Sequence, residues 1–117
     1  MKKIIIAEDD PAIRDTCRMI LERAGYHVTM LSNGDTLLNG HYEIPDIFVL
    51  DKQLSGVDGL DICRYLKQQE TTRHIPVIML SASPQISRLA ELAGASGWLE
   101  KPFKMQALRD MVAKHTG

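Results

Sequence analysis

Three short runs of uninterrupted apolar residues constrain this chain most: Ile4-Ile5-Ile6-Ala7, Ile47-Phe48-Val49-Leu50 and Val77-Ile78-Met79-Leu80. Successive side chains of a strand point to opposite faces, so a continuous apolar run needs cover on both. Such runs fit the inner strands of a parallel sheet with helices on either side. Weaker strand candidates are His27 to Leu31 and Trp98 to Leu99.

Amphipathic stretches lie between these runs. From Pro11 to Ala24, residues Ile13, Cys17, Ile20, Leu21 and Ala24 share one helical face, and Gly25 supplies a stop. Leu60 to Gln68 carries Ile62, Cys63 and Leu66 on its apolar side. Ser83-Pro84 has the form of a cap and a first-turn proline for a helix ending near Gly94. Phe103 to Lys114 makes the last helix. Asn33 to Tyr42 is a poor helix, because it holds two Gly and two Asn. The plan is five β/α units, hence an α/β fold with a doubly wound parallel sheet.

The 117 residues suit one domain, spanning residues 1–117, with no repeat or linker. Fourteen basic and fifteen acidic residues leave a net charge of −1, which gives no electrostatic case for direct nucleic-acid binding. The apolar runs are too short to cross a membrane, and "MKKIIIAEDD" stops in acids too early for a signal peptide. A cytoplasmic protein is expected. Cys17 and Cys63 lack metal-type spacing and read as buried packing thiols. The four His are scattered and form no metal or catalytic pair.

Ligands of open α/β sheets bind beyond the carboxyl ends of the strands. Glu8 and Asp9 follow the first run, Asp51 the third strand, Ser81 the fourth, and Lys101 the fifth. Three carboxylates, a hydroxyl and an ammonium therefore converge on one rim. Clustered carboxylates need a cation, and an all-oxygen donor set favours Mg²⁺, which retains waters and binds phosphate oxygens. Lys101 could supply a point charge and Ser81 a hydrogen bond to a phosphoryl group, with one carboxylate as nucleophile. Asp10, just before Pro11, reads instead as the cap of the first helix. For any one acid, a solvated loop or a helix cap is the simpler reading. That reading weakens when several strands end this way together.

The segments "IIIAEDDPAIRD", "PDIFVLDKQLSGVDGLDICRYLK", "IPVIMLSAS" and "GASGWLEKPF" occur in order. On these the chain resembles the receiver domain of two-component response regulators over essentially its whole length. The resemblance implies a flavodoxin-like five-stranded sheet of order 2-1-3-4-5 with five helices. It makes Asp51 the phosphoacceptor, with Ser81 and Lys101 assisting. Glu8, Asp9, Asp51 and the Gln53 backbone carbonyl would hold Mg²⁺. Ser81 and Trp98 would be the switch pair, with Trp where Tyr or Phe is usual. Gln53 and Ser83 would tune the lifetime of the phosphoryl group, small Ala82 would leave its site open, and Lys101–Pro102 would be cis.

The implied function is a signalling switch rather than an enzyme, whose only chemistry is its own phosphorylation and dephosphorylation at Asp51. The phosphoryl donor would be a sensor histidine kinase or phosphotransfer protein, and the output would pass to a downstream effector. Some features depart from the family pattern. The segment from Ser81 to Lys101 is short by about two residues, Pro84 stiffens its start, and Ser55 stands where Pro is frequent. The rival classes are an unphosphorylated receiver-like interaction module and a Mg²⁺-dependent phosphohydrolase. The second is disfavoured by Gln53, where that family has Asp. A nucleotide-binding Rossmann domain is poorly supported, because "EDDP" follows the first strand in place of a glycine-rich turn and no P-loop is present.

Overall fold

The computed structural model describes every residue from Met1 to Gly117. In chain order the elements are β1 (Lys3–Ala7), α1 (Pro11–Arg23), β2 (His27–Leu31), α2 (Asp35–Asn39), β3 (Ile47–Asp51), β4 (Gln53–Leu54), β5 (Val57–Asp58), α3 (Gly59–Gln68), β6 (Val77–Ser81), α4 (Ile86–Leu92), β7 (Gly97–Glu100) and α5 (Met105–Thr116). The main sheet is fully parallel, in the order β2-β1-β3-β6-β7. This is the expected 2-1-3-4-5, because β4 and β5 are only the two-residue arms of an antiparallel hairpin outside the sheet. That hairpin was not anticipated from the sequence.

The apolar runs explain both faces of the sheet. Ile5, Ala7, Phe48, Leu50, Val77 and Met79 pack with Leu37, Ile62, Leu66, Ile86 and Ala90 of α2, α3 and α4. The alternate residues Ile4, Ile6, Ile47, Val49, Ile78 and Leu80 pack with Cys17 and Leu21 of α1 and Leu108 and Val112 of α5. Each fully buried Ile or Leu contributes about 2 kcal/mol relative to exposure. Cys17 and Cys63 are free and buried, and burial pushes both thiols up to about 11. They are packing residues, as expected.

Two helix starts differ from the sequence reading. The fourth helix begins at Ile86 with Gln85 as its cap residue, so Ser83-Pro84 does not open it. Ser83 Oγ accepts from Gln85 N at 3.2 Å, and the Ser83 carbonyl accepts from Ile86 N at 3.2 Å. A carbonyl engaged three residues ahead closes a tight turn rather than an α-helical one. The last helix begins at Met105 rather than Phe103, since Lys104 is still extended at φ −76°, ψ 141°. The weak segment after β2 makes a five-residue helix and ends at Gly40, whose φ of +75° suits a residue without a side chain. No helix is long and apolar enough to cross a membrane.

Candidate functional site

Parallel strands β1 and β3 lie side by side, with Ala7 opposite Leu50 in register. The acids that follow them are therefore delivered to the same edge of the sheet. Carboxylate oxygens of Glu8, Asp9 and Asp51 lie within 4.8 Å of one another. They line an open cleft of about 720 Å³ whose wall includes Gln53, Ala82 and Lys101. Lys101 arrives from the end of β7, its backbone N–H donating to the Ser81 carbonyl at 2.7 Å. Its ammonium sits 2.9 Å from Glu8 Oε1 and 3.2 Å from Asp51 Oδ2. The Lys101–Pro102 bond is cis, as expected.

Glu8 is wholly buried and Asp51 almost so, at 0% and 4% exposure. Two carboxylates and one ammonium leave excess negative charge in a poorly solvated place. Burial, and then a hydrogen bond shared with Asp51, push the Glu8 carboxyl up to about 7 against the pull of Lys101. Burial works to lower the Lys101 ammonium, but its contacts with Glu8 and Asp51 outweigh that and raise it. With Asp9 added, the donors are all hard oxygens and their charge exceeds what one lysine neutralises. That chemistry fits a small divalent cation such as Mg²⁺.

Ser81 ends β6 and is 3% exposed. Its Oγ accepts from Ser83 N at 3.0 Å, which leaves the hydroxyl proton free to donate. Asp51 Oδ1 accepts from Gln53 N at 3.3 Å. Ser83 is half-buried beside Ser81, and the Gln53 side chain is exposed at the cleft. Trp98 lies apart from this group. On β7 it pairs in register with Met79 of β6, is 42% exposed, and does not line the cleft. Asp10 caps α1, accepting from Ala12 N at 2.9 Å and Ile13 N at 3.4 Å through Oδ1, with Pro11 in the first turn. Asp10 is therefore the helix cap that was expected, while Glu8 and Asp9 lie with Asp51 at the cleft.

The sequence reading missed how the loop after Asp51 is held. Lys52 Nζ lies 3.0 Å from Asp58 Oδ2, closing the β4–β5 hairpin, while Asp58 Oδ1 caps α3 by accepting from Leu60 N at 2.8 Å. The Lys52 carbonyl accepts from Gly59 N at 2.7 Å. A Cβ on Gly59 would stand 2.0 Å from the Asp51 carbonyl oxygen, so only glycine fits there. The signal available for this was "VDG", an Asp-Gly pair just before an apolar helical face. At the hairpin tip, Ser55 Oγ donates to Asp9 Oδ2 at 3.4 Å, a contact between residues 46 positions apart.

An open doubly wound sheet with acids, hydroxyl and lysine at its carboxyl edge defines a small α/β domain with a polar cleft at that edge. The family model for the response regulator receiver domain matches residues 4–113, and the chain belongs to that family. It is 38% identical over 111 residues to the DNA-binding dual master transcriptional regulator RpaA of Synechocystis sp., covering 92% of this chain and 46% of that protein. The chain spans about half the length of the curated relatives it matches. Among solved structures, it is similar to the receiver domain of a signal transduction histidine kinase from Syntrophus aciditrophicus. That likeness has a TM-score of 0.90 at 30% identity and covers 99% of this chain and 90% of that one. It is also similar to the receiver domain of a Pseudomonas aeruginosa sensor histidine kinase with a magnesium ion coordinated in the active site cleft. Here the TM-score is 0.88 at 27% identity, over 99% and 98% of the two chains. Receiver domains are signalling switches of two-component systems.

Proposed function

We propose that this chain accepts a phosphoryl group on Asp51 and passes the change to its α4–β7 face. The observation that supports this best is the Lys101 ammonium bridging Glu8 and Asp51 at 2.9 and 3.2 Å beside an almost buried Asp51. Glu8, Asp9, Asp51 and the Gln53 carbonyl would hold Mg²⁺, which when bound supplies charge neutralisation and alignment of the phosphoryl oxygens. Asp51 uses a carboxylate oxygen lone pair to form an O–P bond. The P–N bond of a donor phosphohistidine breaks, and its electron pair returns to the imidazole nitrogen. The product is an acyl phosphate on Asp51. Lys101 stays within reach of the new negative charge. Ser81 donates its free proton to a phosphoryl oxygen while still accepting from Ser83 N.

Drawing Ser81 inward pulls on the end of β6 and on the turn that leads into α4. Trp98, exposed on the neighbouring strand β7, is the aromatic that would follow it inward. Gln53, which lines the cleft, and Ser83, which follows the cleft residue Ala82, would set how readily water reaches the acyl phosphate. The partners implied are a sensor histidine kinase or phosphotransfer protein as donor and a downstream effector as recipient.

The test is incubation with a small acyl phosphate and Mg²⁺, followed by intact mass measurement. The native chain gains one phosphoryl group, while Asp51→Asn and a metal-chelated sample gain none. Phosphoryl uptake by Asp51→Asn would sink the assignment.

A further inference from the structure

We propose that Ser55 is a positioning residue for Asp9, and through Asp9 for Mg²⁺ binding; this rests on reading Glu8, Asp9 and Asp51 as the metal site. The three acids are not held equally. Glu8 Oε1 is fixed by Lys101 at 2.9 Å, and its Oε2 accepts from Asp10 N at 3.3 Å. Asp51 is fixed by Lys101 at 3.2 Å and by Gln53 N at 3.3 Å. For Asp9 the hydrogen bond from Ser55 Oγ to Oδ2, exposed and long at 3.4 Å, is the sole side-chain tie, and no cation pairs with it. Without that tie no other side chain sets the Asp9 carboxylate's rotamer.

Ser55 itself does not turn freely. It sits at the tip of a hairpin whose arms pair Gln53 with Asp58 and Leu54 with Val57. Leu54 is buried in the core, and the Lys52–Asp58 ion pair clasps the base at 3.0 Å. Gly56, with φ of +83°, takes the left-handed position of the turn beside it. The hydroxyl is therefore presented from a braced turn, and its single proton occupies one Asp9 oxygen while the other stays open to a cation. Fixing one carboxylate rotamer before binding is worth roughly two- to tenfold in affinity.

The experiment is calorimetric titration of the full chain with Mg²⁺ alone, alongside metal-free melting curves. Ser55→Ala is expected to weaken Mg²⁺ binding by roughly two- to tenfold with an unchanged metal-free Tm. Ser55→Thr, which keeps the hydroxyl, restores the native affinity. Native affinity in Ser55→Ala overturns the proposal. So does a weakening that Thr does not repair or that comes with a lower metal-free Tm, since either marks a loop-packing effect. A native chain that binds no Mg²⁺ overturns the metal-site reading itself, an outcome distinct from the other two.

Discussion

Two strand-to-helix turns flank the cleft, and both carry a capping residue followed by proline: Asp10-Pro11 after β1 and Ser83-Pro84 after β6. In each, the side-chain oxygen accepts from the backbone N–H two residues on. Their backbones then diverge. The Asp10 carbonyl accepts from Arg14 N at 2.9 Å, an α-helical bond, and a thirteen-residue helix follows at once. The Ser83 carbonyl accepts from Ile86 N, one residue tighter, and only seven helical residues follow. The lesson is that the cap-proline pair marks a turn, and the carbonyl that takes the next bond decides whether the turn is a helix. We therefore expect the cleft wall on the Glu8–Asp9 side to be the fixed one, and the wall at Ala82, between Ser81 and Ser83 in the chain, to be the adjustable one. Leu92 at 67% exposure and Trp98 at 42% lie on the adjustable side.

The strongest way to extend this contrast is at the middle turn, between β3 and α3. Gly59→Ala puts a Cβ 2.0 Å from the Asp51 carbonyl oxygen and 3.0 Å from Lys52 Cα, both backbone atoms that cannot swing aside. A loss of about 3 kcal/mol in urea denaturation is expected. A loss below roughly 1 kcal/mol would show that this turn yields as readily as the one after β6.

The fixed wall also carries a charge cost, which pH should expose in the metal-free chain. Burial and the hydrogen bond with Asp51 push Glu8 from its ordinary 4.5 up to about 7. Between those two values the native chain keeps a proton that the unfolded chain releases. The Glu8 contribution to stability is therefore greatest below about 4.5, falls as pH rises to about 7, and levels off above it. Glu8→Gln is expected to remove the Glu8 contribution to that slope, read from urea melts across the range in the presence of a chelator. An unchanged slope in the variant would mean that Glu8 is ionised throughout.

Phosphorylation tests the contrast directly. Hydrogen exchange after treatment with an acyl phosphate and Mg²⁺ is expected to change by about tenfold for amides from Ala82 to Leu92. This corresponds to an opening free-energy change of about 1.4 kcal/mol. Amides from Ala12 to Arg23 should stay within about twofold. Equal changes in both helices would remove the distinction between a fixed and an adjustable wall.

Much of this was legible in the sequence, for physical reasons that can be named. The runs from Ile4, Ile47 and Val77 announce inner strands because only two-sided burial tolerates four apolar residues in a row. Once the order of strands is fixed, Glu8, Asp9, Asp51 and Lys101 have to meet, with Ser81 at the end of the adjoining strand, since each ends or follows a parallel strand at the same edge. The hairpin at Gln53–Asp58 was not legible, because two-residue arms leave no alternation to read. Nor was Ser55 reaching Asp9, a long-range contact set by a turn. Ser83 misled because its hydroxyl bond looks the same from sequence whether the carbonyl behind it closes a tight turn or a helix.

The smallest effect separates the two turns most finely. Asp10→Ala removes bonds to Ala12 N and Ile13 N at the start of a helix that buries Cys17 and Leu21, so about 1 kcal/mol of stability should go. Ser83→Ala removes one bond to Gln85 N in a turn outside α4, so the loss should be nearer about 0.3 kcal/mol. Neither substitution removes a side-chain oxygen proposed to bind Mg²⁺, so the affinity measured by calorimetry should hold in both. The pair is best measured together by urea denaturation, because the comparison depends on the difference. Equal losses would mean that Ser83 caps α4 after all, and the adjustable wall would then have to be sought in Ala82 alone.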